Sequence, residues 1–330
     1  MPSCDLNIEL PEGVDHVPPG GELDVTVHVE CDGPLTCKAL TLTRLWRTHG
    51  KGNRDSGGKE AMVLFSGDWT AGRHSYPATV TFPGTPETYH GETVNVDWFL
   101  EARADVPFKI DPKADCQVLL VNTAPPRPYE EPDVWSPRPV KLGGGMIGCF
   151  LPAIVGLVIA VALFWSGWQI AGSLLGALCA YGIVGSRSAK GMVARLGHIA
   201  VEVHPGTVAP GESVAAQVEL RPEGPIQVKE IRMTLVSTEK ATSGSGSNST
   251  DHVATPVSIT EVGAVDLKLD GLTAFEHEFS FTLPVDTPPT FEAPDNELFT
   301  SLTLHVQVDD RKTYTHSTPL TVQSSDLGES

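Results

Sequence analysis

Basic residues are scarce in this chain: 23 Lys and Arg stand against 41 Asp and Glu, giving a net charge of -18 over 330 residues. That deficit argues against nucleic acid as a partner, because phosphates call for a basic face. It reads instead as a solvated acidic surface. Signatures of chemistry are missing too. The histidines are scattered without H-x-x-x-H, and the cysteines without C-x-x-C, so no zinc spacing is visible. There is no Walker loop, no G-x-S-x-G elbow and no Rossmann glycine pattern, and "GGGMIG" at Gly143 follows no strand. The expectation is a non-enzymatic protein with no catalytic residue, no metal ligand and no cofactor.

Charge of either sign is absent from Met146 to Val184, where Asp, Glu, Lys, Arg and His are all missing. A membrane span needs about 20 apolar residues, and this run is nearly twice that. One straight helix would reach about 58 Å against a hydrocarbon core of about 30 Å. "WSGWQ" supplies a break, with Ser166 and Gly167 between Trp165 and Trp168, which suit the membrane interface. The run predicts a transmembrane hairpin of two helices, Met146–Trp165 and Trp168–Val184. Gly172 and Gly176 form a G-x-x-x-G pair that packs a neighbouring helix, either the first of the hairpin or one from a second copy. Arg138, Lys141, Arg187, Lys190 and Arg195 flank the run and favour cytoplasmic placement of both ends. The opening "MPSCDLNIEL" lacks the pattern of a signal peptide. The lipid bilayer is therefore an expected partner.

What is present at both ends is a period of two. "VPPGGELDVTVHVECDGPLTCKALTLTRL" from Val17 is matched by "VAPGESVAAQVELRPEGPIQVKEIRMTLV" from Val208. In each, a P-G turn precedes an alternating run, and a G-P turn precedes a second one, as in half-buried antiparallel strands. Later, "PGTPETYHGETVNVDWFLEARAD" from Pro83 is answered by "PVDTPPTFEAPDNELFTSLTLHVQVD" from Pro284. Both pass a second proline and an aromatic, Tyr89 or Phe291, before a strand. These aromatics are expected to be buried, each under its own sandwich. Each end thus predicts one β-sandwich. The expected division is a sandwich over 1–123, a Pro/Gly-rich linker over 124–145, the hairpin over 146–184, a basic linker over 185–196, a second sandwich over 197–324 and a disordered tail over 325–330.

The order of these features resembles the arrestin-like family. The stretches that carry it are Pro210–Gly211, Phe279–Pro284 and Pro288–Phe291, with Pro19–Gly20, Val80–Pro83 and Pro86–Gly91 in the first half. The resemblance implies two immunoglobulin-like sandwiches side by side, an N-domain and a C-domain, here separated by the transmembrane hairpin.

Cysteine is absent from the second sandwich; Cys4, Cys31, Cys37 and Cys116 belong to the first. Cys31 and Cys37 bracket "DGPLT" and are candidates to face each other across a turn, and Cys4 and Cys116, on the first and last strands, are candidates to meet. Pairing of both would imply an oxidising compartment, but the fold does not require it, and free thiols are favoured. "APPRPYEEPDVWSPRPVK" from Ala124 reads as a semi-extended spacer, and "SGSGSNST" from Ser243 as a flexible loop. Together these readings predict a membrane-anchored scaffold or adaptor that binds as yet unidentified proteins through sheet edges and loops. The alternative is an envelope-exposed adhesion or structural protein.

Overall fold

The computed structural model describes residues 2–14, 16–108, 110–123, 125–140, 196–309 and 312–323. They form two lobes, each a pair of antiparallel-dominated sheets facing one another across an apolar core. In the first lobe, one sheet consists of β1 (Cys4–Glu9), β3 (Glu22–Cys31) and β6 (Gly72–Thr81), in that order. The other runs β2 (His16–Val17), β9 (Lys113–Leu120), β8 (Val94–Asp105), β4 (Leu35–Gly50), β5 (Ser56–Trp69), with β7 (Tyr89–His90) also pairing β8.

The second lobe repeats this plan. One sheet runs β10 (Arg138–Pro139), β11 (His198–His204), β13 (Ser213–Arg221), β16 (Phe275–Thr282). The other runs β12 (Thr207–Val208), β19 (Lys312–Val322), β18 (Asn296–Asp309), β14 (Ile226–Ser243), β15 (Thr250–Leu269), with β17 (Phe291–Glu292) on β18. Every neighbour relation of the first lobe recurs here. Even the parallel pairing of β2 with β9 returns as β12 with β19. The added strand is β10.

Alternation explains why these segments fold as they do. Along β3, Leu23, Val25, Val27, Val29 and Cys31 are buried, while the residues between them point outward. Along β14, Ile231, Met233 and Leu235 do the same. Trp69, Phe82 and Trp98 fill the first core, and the Trp98 indole N–H donates to the Pro86 carbonyl at 2.7 Å, so burial leaves no orphan donor. The second core forms around Phe279, Ile231 and Met233. A third, smaller cluster joins the lobes: Val94 and Val96 from the first meet Ala241, Phe291 and Leu298 from the second.

Two expectations need correction here. The inserted helical hairpin is not found: no helix among the described residues is long and apolar enough to cross a membrane. The described chain buries its apolar side chains by strand alternation into sandwich cores instead of in one continuous lipid-facing run. The stretch assigned to the hairpin, 146–184, lies outside the described residues, and with it the interface residues Trp165 and Trp168 and the packing residues Gly172 and Gly176. The integral-membrane placement falls with the hairpin that implied it.

The proline-rich segment also differs from a free spacer. Its described part lies along the second lobe: Arg138 and Pro139 pair with Val201 and Ala200, and the Val140 amide donates to the Ile199 carbonyl at 2.8 Å. Tyr129 and Trp135 both set their rings edge-on to His204. Arg127 reaches Glu212, whose carboxylate accepts from the Arg127 amide at 3.0 Å, its Nε at 3.1 Å and the Ala209 amide at 2.9 Å. Burial pushes the Glu212 pKa up, but these donors outweigh it and hold the group below the usual carboxylate value.

Candidate functional site at the junction between the lobes

On β14 the inward face continues past Leu235 with Ser237, Glu239 and Ala241. A carboxylate at a core-facing position is costly unless its oxygens are satisfied. Glu239 is only 1% exposed, and its partners all come from the other lobe. The loop between β7 and β8 wraps it. The Thr93 amide donates at 2.7 Å, the Thr93 hydroxyl at 3.1 Å, the Glu92 and Val94 amides at 3.2 Å each, and the Tyr89 hydroxyl at 2.8 Å. Successive backbone amides turned toward one point make an anion cradle. Burial raises the Glu239 pKa, but the Thr93 amide, the Tyr89 hydroxyl and the other amides overcome it, and the group lies below its ordinary value. Burial, with the adjacent Glu239 charge, pushes the Tyr89 hydroxyl upward, so it remains a donor.

Glycine makes the close approach possible. A Cβ on Gly91 would stand 2.4 Å from a Glu239 carboxylate oxygen. Gly50, with φ of +139°, would place a Cβ 2.2 Å from the Thr93 carbonyl oxygen.

The contact is reciprocal. Glu239 pairs in register with Leu298 of β18, opposite Phe291 of β17. In the first lobe the position across from Val96, opposite Tyr89 of β7, is Thr48. Thr48 therefore occupies in its lobe the place of Glu239, and it too meets the other lobe: the Asn296 side-chain amide donates to its hydroxyl at 3.0 Å. That amide also reaches the Asn53 carbonyl and the Asp55 carboxylate, each at 2.8 Å, and the Asp295 amide donates to Asp55 at 3.0 Å. The Asn53 backbone amide donates to the Thr242 carbonyl at 2.8 Å, and its side chain bonds both ways with the Gly244 backbone. The base of the serine–glycine loop is thus part of the junction.

Phe291 is buried as expected, but against the opposite lobe, edge-on to Trp46 with centroids 5.2 Å apart. Tyr89 also serves the junction, but it is only partly buried, which corrects the expectation of a buried anchor under its own sandwich. Beside it a cavity of about 650 Å³ opens between the lobes, lined among others by Glu87, Glu92, Asp286, Pro126, Pro210 and Pro289. Apart from Tyr89, picked out as an aromatic, none of the junction's polar residues was singled out from the sequence. The one visible signal was Glu239 itself, a charge on the inward parity of an alternating strand.

A family model described as SpoOM protein matches residues 190–325, less than half of the chain and essentially the second lobe. This corrects the arrestin-like resemblance, since the matching family is a different one and no arrestin family evidence accompanies it. The motifs that suggested it were turns and strand ends, which any sandwich of this layout supplies. No curated protein matches the chain.

The four cysteines of the first lobe are free thiols, and Cys4 stands opposite Cys31 across β1 and β3. The neighbour of Cys4 is therefore Cys31, not Cys116 on β9. Burial, followed by the proximity of Cys31, pushes the Cys4 thiol up to about 12, and burial pushes Cys37 to about 11. Such thiols are poor nucleophiles.

Proposed function

We propose that the protein is a non-catalytic scaffold whose inter-lobe groove takes an extended, positively charged segment of a partner protein. The observation that carries this reading is the groove's lining: the carboxylates of Glu87, Glu92 and Asp286 stand among proline faces, between two lobes held in fixed relation by the Glu239 cradle. Carboxylates attract cationic side chains, and proline rings offer apolar area without backbone donors of their own. The net charge of -18 steers the same class of partner from a distance. The groove loops, which bear the second proline and the aromatic of each repeat, sit at sheet ends, where recognition loops are held by a rigid frame.

A lysine- and arginine-rich decapeptide titrated into the full chain by calorimetry tests the reading. Binding should weaken as salt rises. Asp286→Lys, a change at an exposed position, should weaken it by roughly tenfold or more. Absence of binding at low salt, or equal binding by Asp286→Lys, would refute the groove as the site.

A further inference from the structure

We infer that His49, His90 and Asp97 form a binding site for a divalent transition-metal ion of the zinc or copper type. The three residues come from neighbouring strands and converge on one face of the sheet. Asp97 lies on β8, His49 near the end of β4 on one side, and His90 on β7 on the other. One ligand atom from each lies within 4.8 Å of the others. His49 Nε2 is 2.5 Å from one Asp97 oxygen and His90 Nε2 is 2.8 Å from the other. The rings are tilted, with centroids 6.3 Å apart.

The chemistry of the set favours a transition metal. Two imidazole nitrogens and a carboxylate suit zinc, copper or nickel, whereas calcium and magnesium select all-oxygen shells. An ion at about 2.0–2.2 Å from each ligand atom separates them by roughly 3.3 Å in tetrahedral geometry. Each histidine–carboxylate pair therefore has to open by less than about 1 Å. The histidine side chains, 47% and 54% exposed, have room to do so, while the carboxylate, at 2%, stays fixed. A neutral imidazole coordinates through Nε2 by carrying its proton on Nδ1. Gln117 completes the arrangement, its side-chain amide donating to Asp97 at 2.7 Å, as an outer partner that orients a ligating carboxylate. Half of each imidazole faces solvent, so remaining coordination positions are open to water.

The location gives such an ion a consequence. His90 directly precedes Gly91, Glu92 and Thr93, the segment that cradles Glu239. An ion joining His90 to β4 and β8 pins that segment from its outer side and tightens the hold of one lobe on the other. His90 also lines the groove proposed for a partner segment, whereas His49 and Asp97 do not, and the metal site does not depend on that reading.

The test uses the full chain, freed of metal by chelation and titrated with zinc chloride or magnesium chloride. Calorimetry should find about one zinc ion bound at this site, and the melting temperature should rise with zinc and not with magnesium. His49→Ala and His90→Ala should each weaken zinc binding by more than roughly tenfold. Both replace half-exposed side chains, so their metal-free melting temperatures check that folding persists. If either variant is destabilised, the paramagnetic resonance spectrum of the copper-loaded wild-type chain decides, with hyperfine coupling from two imidazole nitrogens expected. No zinc binding, or zinc binding undiminished in a folded variant, would overturn the assignment; so would a copper spectrum without that coupling.

Discussion

Replacing Glu239 by alanine removes the acceptor at the centre of the junction. The carboxylate takes donors from Thr93, Val94, Glu92 and Tyr89, all in the opposite lobe. A hydrogen bond to a charged group contributes about 1.5–3 kcal/mol, but bonds converging on one carboxylate are not additive. The better guide is the loss on removing one partner of a buried charged network, about 3–5 kcal/mol. Each lobe keeps its own core, so the loss should fall on the coupling between lobes. Calorimetric unfolding of the full chain should therefore broaden or split into two transitions in Glu239→Ala. Glu239→Gln keeps an acceptor oxygen but turns an amide toward donors, and should lose nearly as much. Acid should imitate both variants. The folded pKa of Glu239 lies below its ordinary value near 4.5, so its contribution is complete above that pH and is lost as pH falls through the folded pKa. The gap between wild type and Glu239→Gln should accordingly close in acid. A Glu239→Ala protein with unchanged transitions at neutral pH would refute the reasoning.

Two further predictions follow from the packing. Phe291→Ala should cost about 3–5 kcal/mol in the full chain and alter tryptophan emission through Trp46, whereas replacing the exposed Glu292 should change neither, as denaturant titration followed by fluorescence would report. The Cys4 and Cys37 thiols should react slowly with an aromatic disulfide reagent at pH 8 and quickly after unfolding; because their folded pKa values are raised to about 12 and about 11, stability is intact below about pH 9 and should decline as pH climbs from there through those values.

The sandwiches were legible because alternation is a local signal. Val25, Val27 and Val29 declare a buried face without reference to anything distant, and the matched P-G and G-P turns mark where strands end. The apolar run at 146–184 is the opposite case: hydropathy alone suggested a span, and no helix of that kind stands among the described residues. The junction was illegible for a different reason. Its partners are brought together across the fold, as Asn53 is with Asp295 and Thr93 with Glu239, and no spacing motif records such a meeting. The same holds for His49, His90 and Asp97. A search for fixed histidine intervals passes over them because three strands, not one segment, supply the ligands. Phe291 shows a middle case, in which burial was readable and the burying partner was not.

The repeated proline–aromatic stretch gains a second role from this geometry. In each lobe it adds a short strand, β7 or β17, beside β8 or β18, and across the junction each copy receives a residue from the equivalent strand position of the other lobe, Glu239 in one direction and Thr48 in the other. A pair of related lobes meeting through equivalent loops has an inherent ambiguity, since either lobe can play either part. The side chains remove it. One loop offers backbone amides and accepts a carboxylate; the other offers the Asn296 carboxamide and accepts a hydroxyl. Exchanging the roles would set a buried carboxylate against groups that cannot neutralise it, a cost of several kcal/mol for an unpaired ion. Charge placed at one of two equivalent positions thus specifies a single docking of the lobes, and hydrophobic contact alone, which Val96 and Leu298 supply almost alike from the two sides, could not.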